Sequence, residues 1–476
     1  MLAASPFPIG VDGYFYPIQV RSLLEHGTLA YPASPLAFWF MAPFATATDP
    51  IVGAKLAAAL GGALIAIPAY LIGARLGKGR GPGMIAATLA TMSASSAFLS
   101  LEFVKQGIGL TVAASAMCLA LRAIEVRSGP RIVAATIAML AALLTHKVAA
   151  ALVILVAAPA ALAGARATGA LRGRRLRYVC AGAGIVAVTL VILGVVSPHR
   201  FISAGDLGLV SDLFTPTAHW DAPALGMPGT TLAFHHEALA AGVLAMLAMA
   251  VLIAARRRAI ELDADPGDRI ATWVIALVGV GIALPWLAVT DPQGLAFRLR
   301  LSAFVPLALC AAVVARAALV KLPELHRDLA CLAIAAVLAW HASGYDRTEG
   351  EVLVHPALVT AALALEVPSN ATVIIPERRI AFMVAWYTRA KFRLRPERVP
   401  YPQRMRLLLP LSPVSKPWHL ARVVDAARRE PSIEVPIGVH PRNANGFVLV
   451  TEPTWDWMLA HMPDDARRHF TAWPTI

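Results

Sequence analysis

An all-α polytopic membrane helix bundle with a small C-terminal α/β extracytoplasmic domain is the fold class predicted here, and three features predict it. Apolar runs of about twenty residues recur between residues 51 and 345, the length that crosses a hydrocarbon core. The 476 residues are 58% hydrophobic and 15% charged, with a mean hydropathy of +0.65, more apolar side chain than a water-soluble domain can use. The ten-residue alternation of a membrane barrel is missing. Together these exclude a soluble enzyme, a disordered tail protein and a single-anchor receptor.

About ten spans are expected, at roughly 51–76, 83–101, 107–124, 131–145, 147–165, 178–197, 236–255, 270–290, 297–319 and 327–345. Residues 131–165 read either as one long tilted helix or as two short ones turning at His146-Lys147, and the loop charges favour two. Basic residues cluster in alternate loops: Arg75 to Arg80, Arg122 to Arg131, Arg166 to Arg177, Arg256 to Arg258 and Arg316 to Arg327. The positive-inside rule puts these in the cytoplasm and turns residues 1–50, 102–106, 146–147, 198–235, 291–296 and those after 345 outward. Topology thus accounts for the net charge of +13, and no nucleic-acid partner is expected. An outward residue 12 with no preceding span implies a further transmembrane helix upstream.

The four cysteines, Cys118, Cys180, Cys310 and Cys331, lie singly in or beside apolar spans, so neither a disulfide framework nor a thiolate metal cluster is readable. Beyond residue 345 prolines and charges become common. The chain therefore divides into a first outward loop with interfacial helices (1–50), a transmembrane bundle (51–345) and a C-terminal domain (346–476). In the last, Ala371–Ile375 and Gly446–Thr451 read as strands, and Ile380–Lys391 and Trp418–Arg429 as helices.

Ionisable groups are expensive inside a bilayer and mark pathways or sites. The middles of these spans are nearly empty of them, and neither midplane charges nor broken helices of the transporter kind are evident in the sequence. The outward loops, by contrast, hold Asp12, Arg21, Glu25, Glu102, Lys105, His146, Lys147, Asp291, Arg298 and Arg300. Acids and bases above an apolar floor suit a substrate with a lipid tail and a polar head. Ordinary loop polarity is the competing account for most of them.

The first loop reads Val11-Asp12-Gly13-Tyr14-Phe15-Tyr16-Pro17, followed by Gln19, Arg21 and Glu25-His26-Gly27. This pattern of Asp-x-Tyr-Phe, an arginine and a Glu-x-Gly turn resembles the GT-C superfamily of integral-membrane glycosyltransferases. That superfamily includes protein O-mannosyltransferases, lipid A aminoarabinose transferases and the catalytic subunit of oligosaccharyltransferase. The resemblance covers the loop motif, the span count with one more helix upstream, and an outward C-terminal domain. It implies a sugar donor on a polyprenyl phosphate, a glycan, lipid or protein acceptor, transfer at the outer face of a bacterial inner membrane, and Asp12 at the active centre with Tyr14 and Arg21 beside it. Asp12 reads otherwise as the N-cap of a helix running to Gly27; a helix starting at Pro17 would leave it in the preceding loop.

In the second outward turn, Glu102 and Lys105 share a helical face, as a second acid with a binding cation or as a surface ion pair. The metal-dependent members of the superfamily have paired acids here, and this chain offers only Glu102. No cofactor is certain, and a divalent Mg²⁺ or Mn²⁺ on Asp12 and Glu102 would have few protein ligands. His146 and Lys147 in the third turn are candidates for phosphate contact or acid catalysis. Arg298 and Arg300 enter an apolar span on the face where cations are less needed, and Arg298 is the preferred phosphate ligand, with headgroup snorkelling the alternative. His219, His235 and His236, with Asp212, Asp221 or Glu237, make at most a weak zinc pattern. The loop 198–235 reads as an acceptor-side lid, and Thr454-Trp455-Asp456-Trp457 as a buried aromatic pair. A transporter or lipid flippase, and a non-catalytic scaffold of envelope polysaccharide assembly, are the rival readings.

Overall fold

The computed structural model describes residues 7–8, 13–31, 33–126, 129–167, 169, 228–258, 265–283, 299–343, 372–374, 382–383, 385–387 and 446–448. The span expected at 178–197, the loop 198–227, Trp418–Arg429 and residues 454–457 lie outside them. Contacts divide the chain into two units, one drawn from residues 1–31, 45–54 and 350–476, the other from 32–44 and 55–349.

The second unit is a helix bundle. It includes α4 (Ala66–Leu76), α5 (Arg80–Met92), α6 (Ala94–Leu101), α7 (Val104–Val126), α8 (Gly129–Thr145), α9 (Lys147–Ala167), α10 (Pro228–Arg258), α11 (Pro266–Ala283), α12 (Phe304–Ala318) and α13 (Glu324–Ser343). Helix α7 packs on α8 and α9, α10 on α11 and α12, and α5 on α4, α12 and α13. Small residues set these approaches, as expected where helices pack without water to drive them together. A Cβ on Gly83 of α5 would meet the Ala74 Cβ at 2.8 Å, and one on Gly81 would meet Cys331 of α13 at 2.7 Å. Ala86, Ala113, Ala116, Ala149, Ala160, Ala248 and Ala312 are buried in the same core.

The outside of this bundle is apolar too. Trp340 is 83% exposed, Leu325 68%, Val337 67% and Ile137 61%, a distribution that suits lipid and not water. Among the described residues five helices are long and apolar enough to cross a membrane, or six if the bent pair α5–α6 is one span. The regions expected at 131–145 and 297–319 contain the shorter apolar helices Pro130–Thr145 and Phe304–Ala318. These are the features of a helical membrane protein.

Residues 131–165 form two helices: α8 ends at Thr145, α9 begins at Lys147, and His146 lies between them. Other expected spans are interrupted. After α2 (Leu36–Ala47), region 51–76 has a two-residue turn at Leu64-Ile65 between α3 (Pro50–Ala63) and α4, and the two together still count as one candidate span, Pro50–Leu76. Region 83–101 breaks at Ser93, where α5 and α6 meet at 45°, so the expectation of no broken helix is corrected. The cause of this second break is local. Ser93 is extended and its side chain accepts from the Ser96 N–H, while Glu237 of α10 accepts from the Ala94 and Ser95 N–H groups and the Ser95 hydroxyl. A carboxylate on these otherwise unsatisfied donors stabilises a helix start inside the bundle.

The first unit contains α1 (Phe15–His26), which ends at Gly27 in the left-handed region, φ 68°, where glycine is favoured. Asp49 caps α3 by accepting from the Ile51 and Val52 N–H groups at 2.8 and 3.0 Å. In the C-terminal segment β1 (Thr372–Ile374) and β2 (Gly446–Val448) pair in parallel, with Val373 opposite Phe447. Residues 382–383 and 385–387 are helical.

Candidate functional site

Asp12 and Arg298 lie outside the described residues. The N-cap of α1 is nevertheless Tyr14, with no side-chain capping bond, and Pro17 stands in the first turn. The reading of Asp12 as the N-cap is therefore corrected, because Asp12 stands two positions before that residue, with Gly13 between them.

The other first-loop candidates meet the C-terminal segment inside the first unit. Tyr14 is 2% exposed and its hydroxyl shares a 3.0 Å hydrogen bond with the Tyr387 hydroxyl. Arg21 donates to the Trp386 carbonyl at 3.2 Å and lies over its ring, 4.1 Å from the centroid. Phe15, Tyr31 and Phe382 complete an aromatic cluster. Gln19, fully buried, closes the turn after α1 by donating to the Tyr31 carbonyl at 2.7 Å and accepting from its N–H at 2.8 Å. Burial, reinforced by the Tyr387 hydroxyl, raises the Tyr14 phenol above its ordinary range. Burial also raises Tyr31, against the lowering effect of Arg21. Both phenols stay protonated at neutral pH and neither is a base.

The remaining candidates are in the bundle unit. Glu102 caps the C-terminus of α6 and is 2% exposed, so its reading as half of a solvated surface pair is corrected. Four residues on, the Gln106 amide of α7 donates to the Ser302 hydroxyl at 3.3 Å. Ser302 stands two residues after Arg300, and both are buried. The start of α7 is thereby tied to the segment that carries Arg300. One turn along α7, a Cβ on Gly109 would lie 2.5 Å from the His146 Cβ, so this glycine makes room for His146. Lys105 is half-buried, its ammonium 5.9 Å from the Phe38 ring centroid, and Lys147 is exposed. Three distant stretches of sequence thus meet at one end of α7.

Beneath Ser302 a narrow crevice of about 50 Å³ runs between α7, α9, α11 and α12. Apart from Ser302 its walls are apolar, with Leu110, Met117, Val153, Ile275 and Leu309 among them. The Ser302 hydroxyl, with the Gln106 amide donating to it, therefore stands at a slot whose chemistry suits hydrocarbon, and the buried Glu102 and Arg300 lie four and two residues in sequence from that bonded pair. Gln106 and Ser302 are residues that sequence reasoning missed. An amide four residues after Glu102 and next to Lys105, at the start of an apolar helix, was the available signal.

Among the described residues no group of three or more histidines, cysteines, aspartates or glutamates could hold a metal ion. The Glu237 carboxylate, considered for a zinc set, is occupied by the start of α6. The described residues do not make a metal-donor set, and the chemistry below uses none. No family model matches this chain, and no curated protein is significantly similar to it.

Proposed function

We propose that the chain is a GT-C-like glycosyltransferase that moves a sugar from a polyprenyl-phosphate-linked donor to an acceptor at the outer face of a bacterial inner membrane. One observation carries the proposal: Ser302, which accepts from the buried Gln106 amide and stands two residues after the buried Arg300, lines an apolar crevice. A polar headgroup on a hydrocarbon tail asks for that combination. The first-loop resemblance adds the acid, Asp12, and an α/β C-terminal domain would help to place the acceptor.

In this reading Asp12 removes the proton of the acceptor hydroxyl as its oxygen attacks the anomeric carbon. The bond from that carbon to the phosphate oxygen breaks, the phosphate leaves on the polyprenyl chain, and a single displacement inverts the anomeric centre. Arg298 and Arg300, with Lys105 or His146, stabilise charge growing on the departing phosphate. The apolar slot holds the first part of the lipid.

The transporter reading has its own support in the bent α5–α6 span with Glu237 at the inner helix start, since discontinuous helices form substrate sites in transporters. One experiment separates the two. Purified protein in proteoliposomes, supplied with a lipid-linked sugar and an acceptor on the same side, should release polyprenyl phosphate and form a new glycosidic bond. Movement of the intact lipid-linked sugar between leaflets without bond cleavage would reject the transferase in favour of the flippase.

A further inference from the structure

We propose that a second cavity, between α4 and α7, is a binding site for a phosphate group held by Arg75 and Arg122. This site is separate from the cluster at Glu102 and does not depend on the transferase reading. The cavity measures about 280 Å³, and its wall combines Leu71, Ile72 and Leu121 with the two arginines.

Two features point to an anion, and a third to what it is attached to. Arg75 is fixed in advance: its Nε donates to Asp268 of α11 at 2.6 Å, and the pair is 17% and 5% exposed. A guanidinium has five N–H donors, of which Nε, turned to Asp268, is one, and its terminal nitrogens form the edge that forks to phosphate. Preorganisation of this kind lowers the ordering cost of binding. Arg122, one turn beyond Cys118 on α7, brings a second guanidinium to the same wall and is solvent-exposed. The two arginines of this wall, set against the one carboxylate paired with Arg75, leave a net positive charge there. Finally, the apolar residues beside the arginines would accept the first carbons of an acyl chain, so the phosphate could belong to a lipid headgroup or to a free phosphate. The shared chemistry is a phosphate oxyanion forked between two guanidinium groups.

The site accounts for more than topology asks. A positive-inside bias requires arginines in a loop, and does not require one of them to line a cavity while locked by a buried acid from another helix.

The test uses the full chain in a neutral maltoside detergent, titrated separately with phosphatidic acid, inorganic phosphate and phosphatidylcholine. Binding is read by thermal shift and by the lipid retained in native mass spectrometry. A saturable response to phosphatidic acid alone assigns the site to a lipid headgroup, and a response to inorganic phosphate as well assigns it to phosphate from either source. Phosphatidylcholine should bind at least roughly tenfold more weakly than phosphatidic acid. Arg122→Gln should weaken the phosphate response roughly tenfold or more, the loss expected for a charged hydrogen bond. Should that variant fail to fold, Arg122→Lys, which keeps the charge and loses the fork, should bind a few-fold more weakly. Equal binding of phosphatidic acid and phosphatidylcholine with no response to phosphate, or undiminished phosphate binding by either variant, would overturn the proposal.

Discussion

Asp12 is a residue whose role can be separated from structure by one atom exchange. The N-cap of α1 is Tyr14, so Asp12→Asn removes no capping bond at that position, and expression is expected to be unchanged. If the carboxylate accepts the acceptor's proton, transfer should fall by about 10²–10⁴ in the same protein. Asp12→Glu, which moves the charge by one methylene, should retain part of the activity. A well-expressed Asp12→Asn protein with wild-type transfer would remove the central residue of the proposed mechanism. A second residue, Asp268, tests the stability of the bundle. Its carboxylate is 5% exposed against Arg75 at 17%, and Asp268→Leu would leave that guanidinium without its acid partner. Breaking such a pair by removing one member costs about 3–5 kcal/mol. Denaturation of the purified variant should show a loss of that size, and an unchanged midpoint would mean that water already screens the pair.

At the scale of elements, the break at Ser93 and the turn at His146 had different legibility. The turn at His146 was readable because a polar pair interrupts an apolar run and the flanking basic loops demand an even number of crossings. The break at Ser93 was not, since serine is tolerated inside apolar helices and the group that fixes the break, Glu237, is 142 residues from Ser95 in sequence. Glu237→Gln keeps the shape of the contact and removes its charge. A charge-assisted bond to a helix start in a partly buried site is worth up to about 2 kcal/mol, so the variant should be less stable by roughly 1–2 kcal/mol. Hydrogen exchange of the Ala94 and Ser95 amides should accelerate by a corresponding factor, and unchanged protection there would show that Ser93 alone holds the break.

For the whole molecule, orientation is the quantity on which an outer-face reaction depends. A single cysteine introduced at residue 170, in the basic stretch, should be shielded from an impermeant thiol reagent in intact cells, whereas one at residue 400 should react. The native cysteines described, Cys118, Cys310 and Cys331, are buried. Labelling in the opposite sense would reverse the bundle and move the proposed chemistry to the cytoplasmic side.

Composition and period determined the apolar helices, because a segment entering lipid must satisfy its own backbone and can do so locally. The strand-like character of residues 371–375 and 446–451 was likewise readable, and Thr372–Ile374 and Gly446–Val448 pair within them. Local sequence also located Glu102, Lys105, His146 and Arg300 as unusual charges at span ends. What it could not decide was which of them are buried and which neighbours they have. Burial of Glu102, the bond from Gln106 to Ser302 across 196 positions, and the lock of Arg75 on Asp268 across 193 arise from helix-on-helix packing. Such packing depends on small residues such as Gly109 and Gly83, whose role is to let another chain segment approach, and nothing in a local window says which segment that is.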